Sequence, residues 1–330
     1  MAGPFNRRKF LKGSAAATTA GVLAISLEER ALLAGGGNAA PASWAESGPM
    51  GKIGNVEISR LICGGNLLNG YAHARDLIYV SELLRRYFTD EKIMETWGLC
   101  ESVGINTMVS TCDCPYSGGK DPTVRMLNRY RNERRGRIQW LAQCQPSGKG
   151  MTDTMQKAID NGACGVFLQG EVADNWVREN RLDLIERIVT WARGKGVLVG
   201  VAGHSVDVPI AIETAGIPVD FHMKTLHHHN YWSAMPAEQQ LEVSVNQNDN
   251  YWCRTPEQTI EFMKEVKTPW IAYKVLAAGA MKPMDGFDYA FGHGADFVCV
   301  GMFDFQVRED QSAARELVAR HKNRTRPWYG

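Results

Sequence analysis

The chain has 330 residues, of which 44% are hydrophobic, 22% charged and 9% aromatic, a globular composition that excludes a collagen, a disordered tail and a coiled coil. Thirty-seven Lys and Arg face 36 Asp and Glu for a formal net charge of +1, so there is no basic excess to neutralise a phosphate backbone and nucleic acid is not an expected partner. The eight cysteines, at positions 63, 100, 112, 114, 144, 164, 253 and 299, form no C-x-x-C pair, which argues against a disulfide framework, a zinc ribbon or an iron–sulfur site of the usual spacing.

Asn6-Arg7-Arg8-Lys9-Phe10-Leu11-Lys12 precedes a weakly apolar run from Gly13 to Leu27 and a Gly- and Ala-rich stretch ending in Pro41-Ala42-Ser43-Trp44-Ala45. Paired arginines, Phe-Leu-Lys and a modest apolar segment, in that order, resemble a twin-arginine export signal. A basic amphipathic N-terminus is the plain alternative. The apolar run, about 15 residues long, is too short and too polar for a confident membrane span. Residues 1–45 are therefore expected to be signal and linker, with the twin-arginine translocation machinery as a partner. Residues 46–330 are expected to be the folded part, periplasmic or otherwise exported. Five of the bases and two of the acids lie in residues 1–40, which leaves 32 against 34 in the remainder. Twin-arginine substrates cross the membrane folded, a route suited to a cofactor inserted in the cytoplasm.

Short apolar runs then alternate with amphipathic stretches. Eight strands are predicted, at Ile58–Gly64, Ile105–Thr111, Ile138–Cys144, Gly165–Gln169, Val197–Ala202, Asp220–Leu226, Trp270–Leu276 and Phe297–Met302. Helical patterns between them include Asp90–Val103, Met151–Asn161, Arg181–Lys195, Pro256–Val266 and Gln306–His321, many closed by Gly. Strands rich in Val, Ile and Leu that alternate with helices predict a parallel sheet buried on both faces. Eight such units within about 280 residues predict a single (β/α)8 TIM barrel. A doubly wound open sheet is the alternative, and it calls for a Gly-x-Gly-x-x-Gly turn that Gly64-Gly65-Asn66 does not supply.

Two connections are longer than a barrel needs. Asn66 to Thr89, after the first strand, carries Asn69, Tyr71, His73 and Tyr79; His227 to Thr255, after the sixth, carries Asn230-Tyr231-Trp232 and Asn250-Tyr251-Trp252. Both should roof the C-terminal face, where barrel active sites sit. Their rings either stack on sugars or pack the loops down. Arg131–Arg137 reads as a solvated helix end, and Pro283-Met-Asp-Gly286 as the turn that opens the seventh helix.

Over nearly the whole folded part the sequence resembles the aldo/keto reductase superfamily. Ile58-Ser-Arg-Leu-Ile-Cys-Gly-Gly65 resembles its first strand, Gly104-Ile-Asn-Thr-Met its second and Val199-Gly-Val-Ala-Gly-His204 its fifth. Val219-Asp220-Phe221, Ile271-Ala-Tyr-Lys-Val-Leu-Ala-Ala-Gly279 and Val300-Gly-Met302 resemble the sixth, seventh and eighth. The resemblance implies a TIM barrel, NADP(H) as cofactor and a neutral Tyr that protonates a carbonyl as hydride arrives, tuned by Asp, Lys and His. The sequence departs from that tetrad. Tyr116 stands one residue late, the second strand ends Val109-Ser110-Thr111 without the Asp, the third ends Ala142-Gln143-Cys144 without the Lys, and the fourth ends Leu168-Gln169-Gly170 without the His. The eighth strand continues Phe303-Asp304-Phe305 instead of with basic phosphate ligands, and the C-terminal cysteine cluster of the iron–sulfur branch is absent.

His222 and Lys224 alternate on the sixth strand and should point the same way, on the family pattern into the barrel. With His204 and Lys274 they would gather two imidazoles and two amines at one mouth, where crowding of like charge lowers a Lys pKa and frees an amine as base or nucleophile. The catalytic candidates are His204, His222, Lys224, Lys274 and Tyr116; the lysines alternatively bind an anionic group. In His227-His228-His229, His228 shares the side of His222, so that His204, His222 and His228 form a candidate set for a divalent metal, backed by Asp207 or Asp220. Cys112-Asp113-Cys114 offers soft ligands, a redox pair or plain thiols.

Three functions fit these residues. The first is an exported reductase-like enzyme acting on a carbonyl or hydroxyl of a small, carbohydrate-like substrate. The second is a metal-dependent lyase, isomerase or hydrolase on the same barrel, and the third a non-catalytic carbohydrate-binding or assembly protein. Oligomeric state and substrate identity stay open.

Overall fold

A computed structural model describes residues 48–73, 77, 79–113, 122–148, 150–240 and 253–330. The predicted hydrophobic runs become a ring of parallel strands, each followed by helix. β1 (Met50–Ile53) and β2 (Val56–Ser59) form an antiparallel hairpin, and eight strands close the barrel: β3 (Leu61–Gly64), β4 (Thr107–Thr111), β5 (Gln139–Cys144), β6 (Gly165–Leu168), β7 (Leu198–Gly203), β8 (Phe221–Thr225), β9 (Trp270–Tyr273) and β10 (Phe297–Gly301). Parallel pairing runs round the ring from β3 to β10, and β10 returns to β3 with Val298 opposite Leu61. The open-sheet alternative is thereby excluded.

Around the ring lie α1 (Tyr79–Tyr87), α2 (Asp90–Ser102), α3 (Pro122–Arg134), α4 (Asp153–Asp160), α5 (Gly170–Arg178), α6 (Leu182–Arg193), α7 (Asp207–Ala215), α8 (Pro256–Glu265), α9 (Pro283–Gly292) and α10 (Val307–Arg320). Local chemistry sets their ends. The Thr89 hydroxyl caps α2 by accepting the Lys92 N–H at 3.3 Å, prolines open α8 and α9, and Gly216 closes α7 in the left-handed conformation. α1 lies inside the long connection after β3, so that extension is partly helical. Arg131 and Arg134 end α3 by bonding the Asn161 carbonyl and Glu91, a surface role.

The hairpin is a feature the strand pattern merged into its neighbour. Predicted strand Ile58–Gly64 is cut at Arg60: Ile58 and Ser59 pair back on β1 across the Gly54-Asn55 turn, and only Leu61–Gly64 enters the barrel. Ile53 and Ile58 then plug the lower end of the ring against Leu141, Phe167, Leu198, Phe221, Ile271 and Phe297. A second apolar layer, including Trp97, Trp140, Trp270, Phe287 and Phe291, packs between strands and helices. The seven described cysteines are thiols, six of them buried.

Below the barrel Asp296 is fully buried and accepts four donors. Arg324 and Arg326 each reach it at 2.7 Å, the Trp270 N–H at 2.9 Å and the Tyr329 N–H at 2.8 Å. Arg60 donates to the Asp296 carbonyl at 3.0 Å and to the Gly330 carbonyl at 2.9 Å, and the Arg60 and Arg324 guanidinium groups lie 4.5 and 3.5 Å from the Trp328 ring centroid.

On α10, burial, aided by the neighbouring charge of Glu309, pushes the Asp310 carboxyl up to about 7. A raised carboxyl pKa means that the folded state holds a proton the unfolded chain has already released, so stability is lost as pH rises from about 4 toward 7. Asp310→Asn removes that penalty. It is expected to raise Tm by several degrees at pH 8 and by little at pH 4, on the order of 1–2 kcal/mol at the higher pH, as measured by calorimetry at both.

Candidate active site

Strand alternation decides which side chains reach the mouth. Val109, Leu141, Phe167, Met223 and Ile271 face the barrel interior, so Thr111, Gln143, Gln169, Thr225 and Tyr273, each two residues later, face its upper rim. Gln143 donates to Thr111 Oγ1 at 3.0 Å, and Thr225 Oγ1 donates to the His204 carbonyl at 3.1 Å. Gln143 and Gln169 occupy the places where the resemblance expects Lys and His.

His204 directly follows β7. Its Nδ1 lies 2.7 Å from Asp174 Oδ2, and the same carboxylate accepts the backbone N–H of His204 and of Ser205, each at 3.0 Å. Asp174, on the second turn of α5, is only 8% exposed. Burial holds the His204 pKa down and Asp174 opposes that trend, while the nearby charges of Lys274 and Lys224 add to it. A neutral ring that donates from Nδ1 to a carboxylate has Nε2 as its basic nitrogen.

Lys274 follows β9 in the left-handed conformation, φ +57°, a costly backbone for a side chain with a Cβ. Its Nζ lies 2.6 Å from Nε2 of His73, in the extended connection after β3. Burial pushes Lys274 down to about 7, against the charge of Glu171. His73 is held down to about 2 by burial and then by Lys274 and His204, so it stays neutral. Tyr71 packs edge-on against its ring at 5.1 Å.

Tyr273, next to Lys274 in the chain, packs beside His204. Its ring lies 5.6 Å from that of His204, and its hydroxyl is buried with no hydrogen-bond partner among the described residues. The close approach depends on Gly170: a Cβ there would lie 2.7 Å from the Tyr273 oxygen and 3.1 Å from the His204 ring. Burial raises the phenol pKa well above its ordinary value, so the group is an O–H donor. A buried donor without an acceptor invites a substrate oxygen.

The expected site is corrected in three respects. His222 and Lys224 do share a side, but they face outward under the helices because Phe221 and Met223 fill the interior. His222 is 1% exposed and meets Glu213 of α7 at 2.6 Å. Lys224 turns its buried amine back to the Thr225 carbonyl and Oγ1, both at 2.8 Å, behind the residue that holds the His204 carbonyl. Second, the imidazoles proposed for a metal are not brought together. His204 and His222 serve different carboxylates, and His228 packs 5.0 Å from Tyr289 beside an outer cleft of about 690 Å³. Among the described residues no group of three or more His, Cys, Asp or Glu is arranged to hold a metal ion. Third, Asp207 and Asp220 back no imidazole: one accepts the Ser205 hydroxyl, the other the Val199 N–H and Arg193.

His227 and His229 are structural, flanking Cys253: the Cys253 N–H donates to His227 at 3.3 Å and His229 Nε2 lies 2.7 Å from the Cys253 carbonyl. Cys112 is buried, its N–H bonded to the Gln143 carbonyl. Tyr116, Cys114 and Asn250-Tyr251-Trp252 lie outside the described residues. Asp174, His73 and Tyr273 were not singled out as site residues from sequence, although His73 was noted in the roofing loop.

Comparison with known proteins agrees with this frame. A model of the TAT (twin-arginine translocation) pathway signal sequence matches residues 4–24. No helix among the described residues is long and apolar enough to cross a membrane. No curated protein matches the chain. Two solved structures, each described as a "putative aldo-keto reductase" from Pseudomonas aeruginosa, superpose on it. One has TM-score 0.56 at 13% identity, covering 84% of this chain and 100% of that one, and the other TM-score 0.52 at 14% identity, covering 82% and 96%. The chain thus carries a twin-arginine signal for export across the cytoplasmic membrane and a (β/α)8 barrel with the fold of those structures.

Proposed function

We propose that residues 46–330 form a periplasmic enzyme that moves a proton at the carbon beside a carbonyl, or at the corresponding hydroxyl, of a small polyhydroxylated substrate. The observation that carries this reading is the Asp174–His204 pair beside the Tyr273 hydroxyl, which is buried with no hydrogen-bond partner among the described residues. His204 Nε2 takes the proton while Asp174 holds the ring orientation. Tyr273 donates a hydrogen bond to the carbonyl oxygen as charge builds on it, and Lys274 adds a positive field from the same rim. His73 stays neutral and anchors the roofing loop to Lys274. Trp232, 82% exposed after β8, offers a face for a sugar ring.

The residues present do not fit the nicotinamide chemistry that the resemblance implies. Gln143 and Gln169 cannot tune a proton donor as Lys and His do. Where phosphate ligands are expected after β10, Asp304 presents a carboxylate already bonded to Lys92 at 3.0 Å and Tyr87 at 2.5 Å.

The test is solvent-deuterium incorporation into a panel of aldoses, ketoses and keto-sugars, followed by NMR. Exchange beside the carbonyl is expected with at least one of them, falling about 10²- to 10⁴-fold in His204→Ala. Equal exchange in His204→Ala and wild type overturns the assignment.

A further inference from the structure

The arrangement of Lys274 goes beyond a fixed positive charge. Its Nζ meets a neutral imidazole, His73 Nε2, at 2.6 Å, and the backbone beneath it is held at φ +57°, a conformation that sets the side chain apart from the strand alternation. Residue 273 contributes the hydroxyl donor and residue 274 the amine, so donor and amine issue from consecutive positions at one rim. The charge of Lys274 acts on both His204 and His73, so the three groups share one neighbourhood. A lysine built only to hold an anion gains from staying charged; burial here works against that and lowers the amine to about 7, so the neutral form is within reach near neutral pH.

We infer that Lys274 is a covalent nucleophile, which condenses with the aldehyde or ketone group of the substrate to form an imine, with Tyr273 and His204 placed around the former carbonyl. The inference rests on the proton-transfer reading above and deepens it by naming carbonyl compounds as the substrate class. The neutral amine adds to the carbonyl carbon, the C–N bond forms as the C=O π pair passes to oxygen, and oxygen takes up a proton to give a carbinolamine. Loss of that oxygen as water gives the protonated imine. Counted from the ammonium, one carbonyl compound and one Lys–NH₃⁺ give one iminium and one water, so no oxidant or external reductant is consumed. Positive charge is then in line with the carbon from which His204 removes a proton. His73 Nε2 lies within hydrogen-bond reach of the nitrogen and orients the amine by accepting its N–H, while the proton that the nitrogen loses passes to the oxygen that leaves as water.

The experiment treats the folded, leaderless protein with glycolaldehyde or dihydroxyacetone and sodium cyanoborohydride, followed by intact mass and peptide mapping. The expected result is one stable secondary amine on Lys274, formed at least tenfold faster than on any surface lysine. It should be absent in Lys274→Met, retained in His204→Ala, and should rise in rate between pH 6 and pH 8 as the buried amine, opposed by the charge of Glu171 and facing the neutral rings of His73 and His204, loses its proton. Labelling spread evenly over surface lysines, or unchanged total labelling in Lys274→Met, overturns the imine. If solvent-deuterium exchange by the wild-type protein persists in that case, the proton-transfer reading stands without it. If Lys274 is labelled yet no carbonyl compound exchanges its proton, the imine stands and the role of His204 fails.

Discussion

Replacement of Asp174 by Asn is expected to reduce turnover by about 10³- to 10⁴-fold while leaving the fold intact, because an amide cannot both accept the two backbone N–H groups and hold the His204 ring in the Nδ1–H tautomer. The carboxylate lies 2.7 Å from Nδ1 and is buried. With Asn in its place, the amide N–H₂ either faces Nδ1 and turns it into an acceptor, which leaves Nε2 protonated and useless as a base, or rotates and abandons the backbone donors. The loss should fall in kcat with KM nearly unchanged, since Asp174 acts through another side chain. Steady-state kinetics on the substrate found by deuterium exchange measures it, and near-ultraviolet circular dichroism checks that packing survives. A loss of less than tenfold removes the pair from the mechanism.

Asp296→Ala is expected to cost about 3–5 kcal/mol, because two buried guanidinium groups, Arg324 and Arg326, lose the carboxylate that neutralises them. The same change frees the Trp270 and Tyr329 N–H groups, so the lower end of β9 and the segment from 324 to 330 should loosen together. Urea unfolding should show a lower midpoint, and Tm should fall by about 10 °C. A midpoint within error of wild type shows the cluster to be dispensable. The candidate site lies at the other end of the strands, so initial rates well below Tm should change little, which separates this variant from Asp174→Asn.

The barrel was legible because its signal is repetitive: eight apolar runs, each followed by an amphipathic stretch, leave few topologies. The hairpin was not, because Ile58-Ser59 and Leu61–Gly64 read as one apolar run and only the chain reversal at Arg60 separates them. Facing on β8 failed for a different reason. Alternation fixes that His222 and Lys224 share a side, but in a barrel strand both sides are buried, so polarity does not say which is the interior. The bulk of Phe221 and Met223 was the available clue. His204 and Lys274 are candidates from sequence because one closes the predicted fifth strand and the other lies on the seventh; in the structure each directly follows its strand. Asp174 was not, because a carboxylate on an amphipathic helix looks like solvent-facing charge until its partner, 30 positions later, folds over it. Tyr273 passed as part of an apolar run, since nothing local distinguishes a packed phenol from one whose oxygen has no partner among the described residues.

The six buried thiols have a consequence for the journey across the membrane. In an oxidising compartment an unfolded chain with eight cysteines would scramble into mispaired disulfides. Here Cys63, Cys100, Cys112, Cys144, Cys253 and Cys299 are buried in the folded barrel. A protein that arrives already assembled keeps these six thiols away from its new surroundings, and a twin-arginine signal suits that passage.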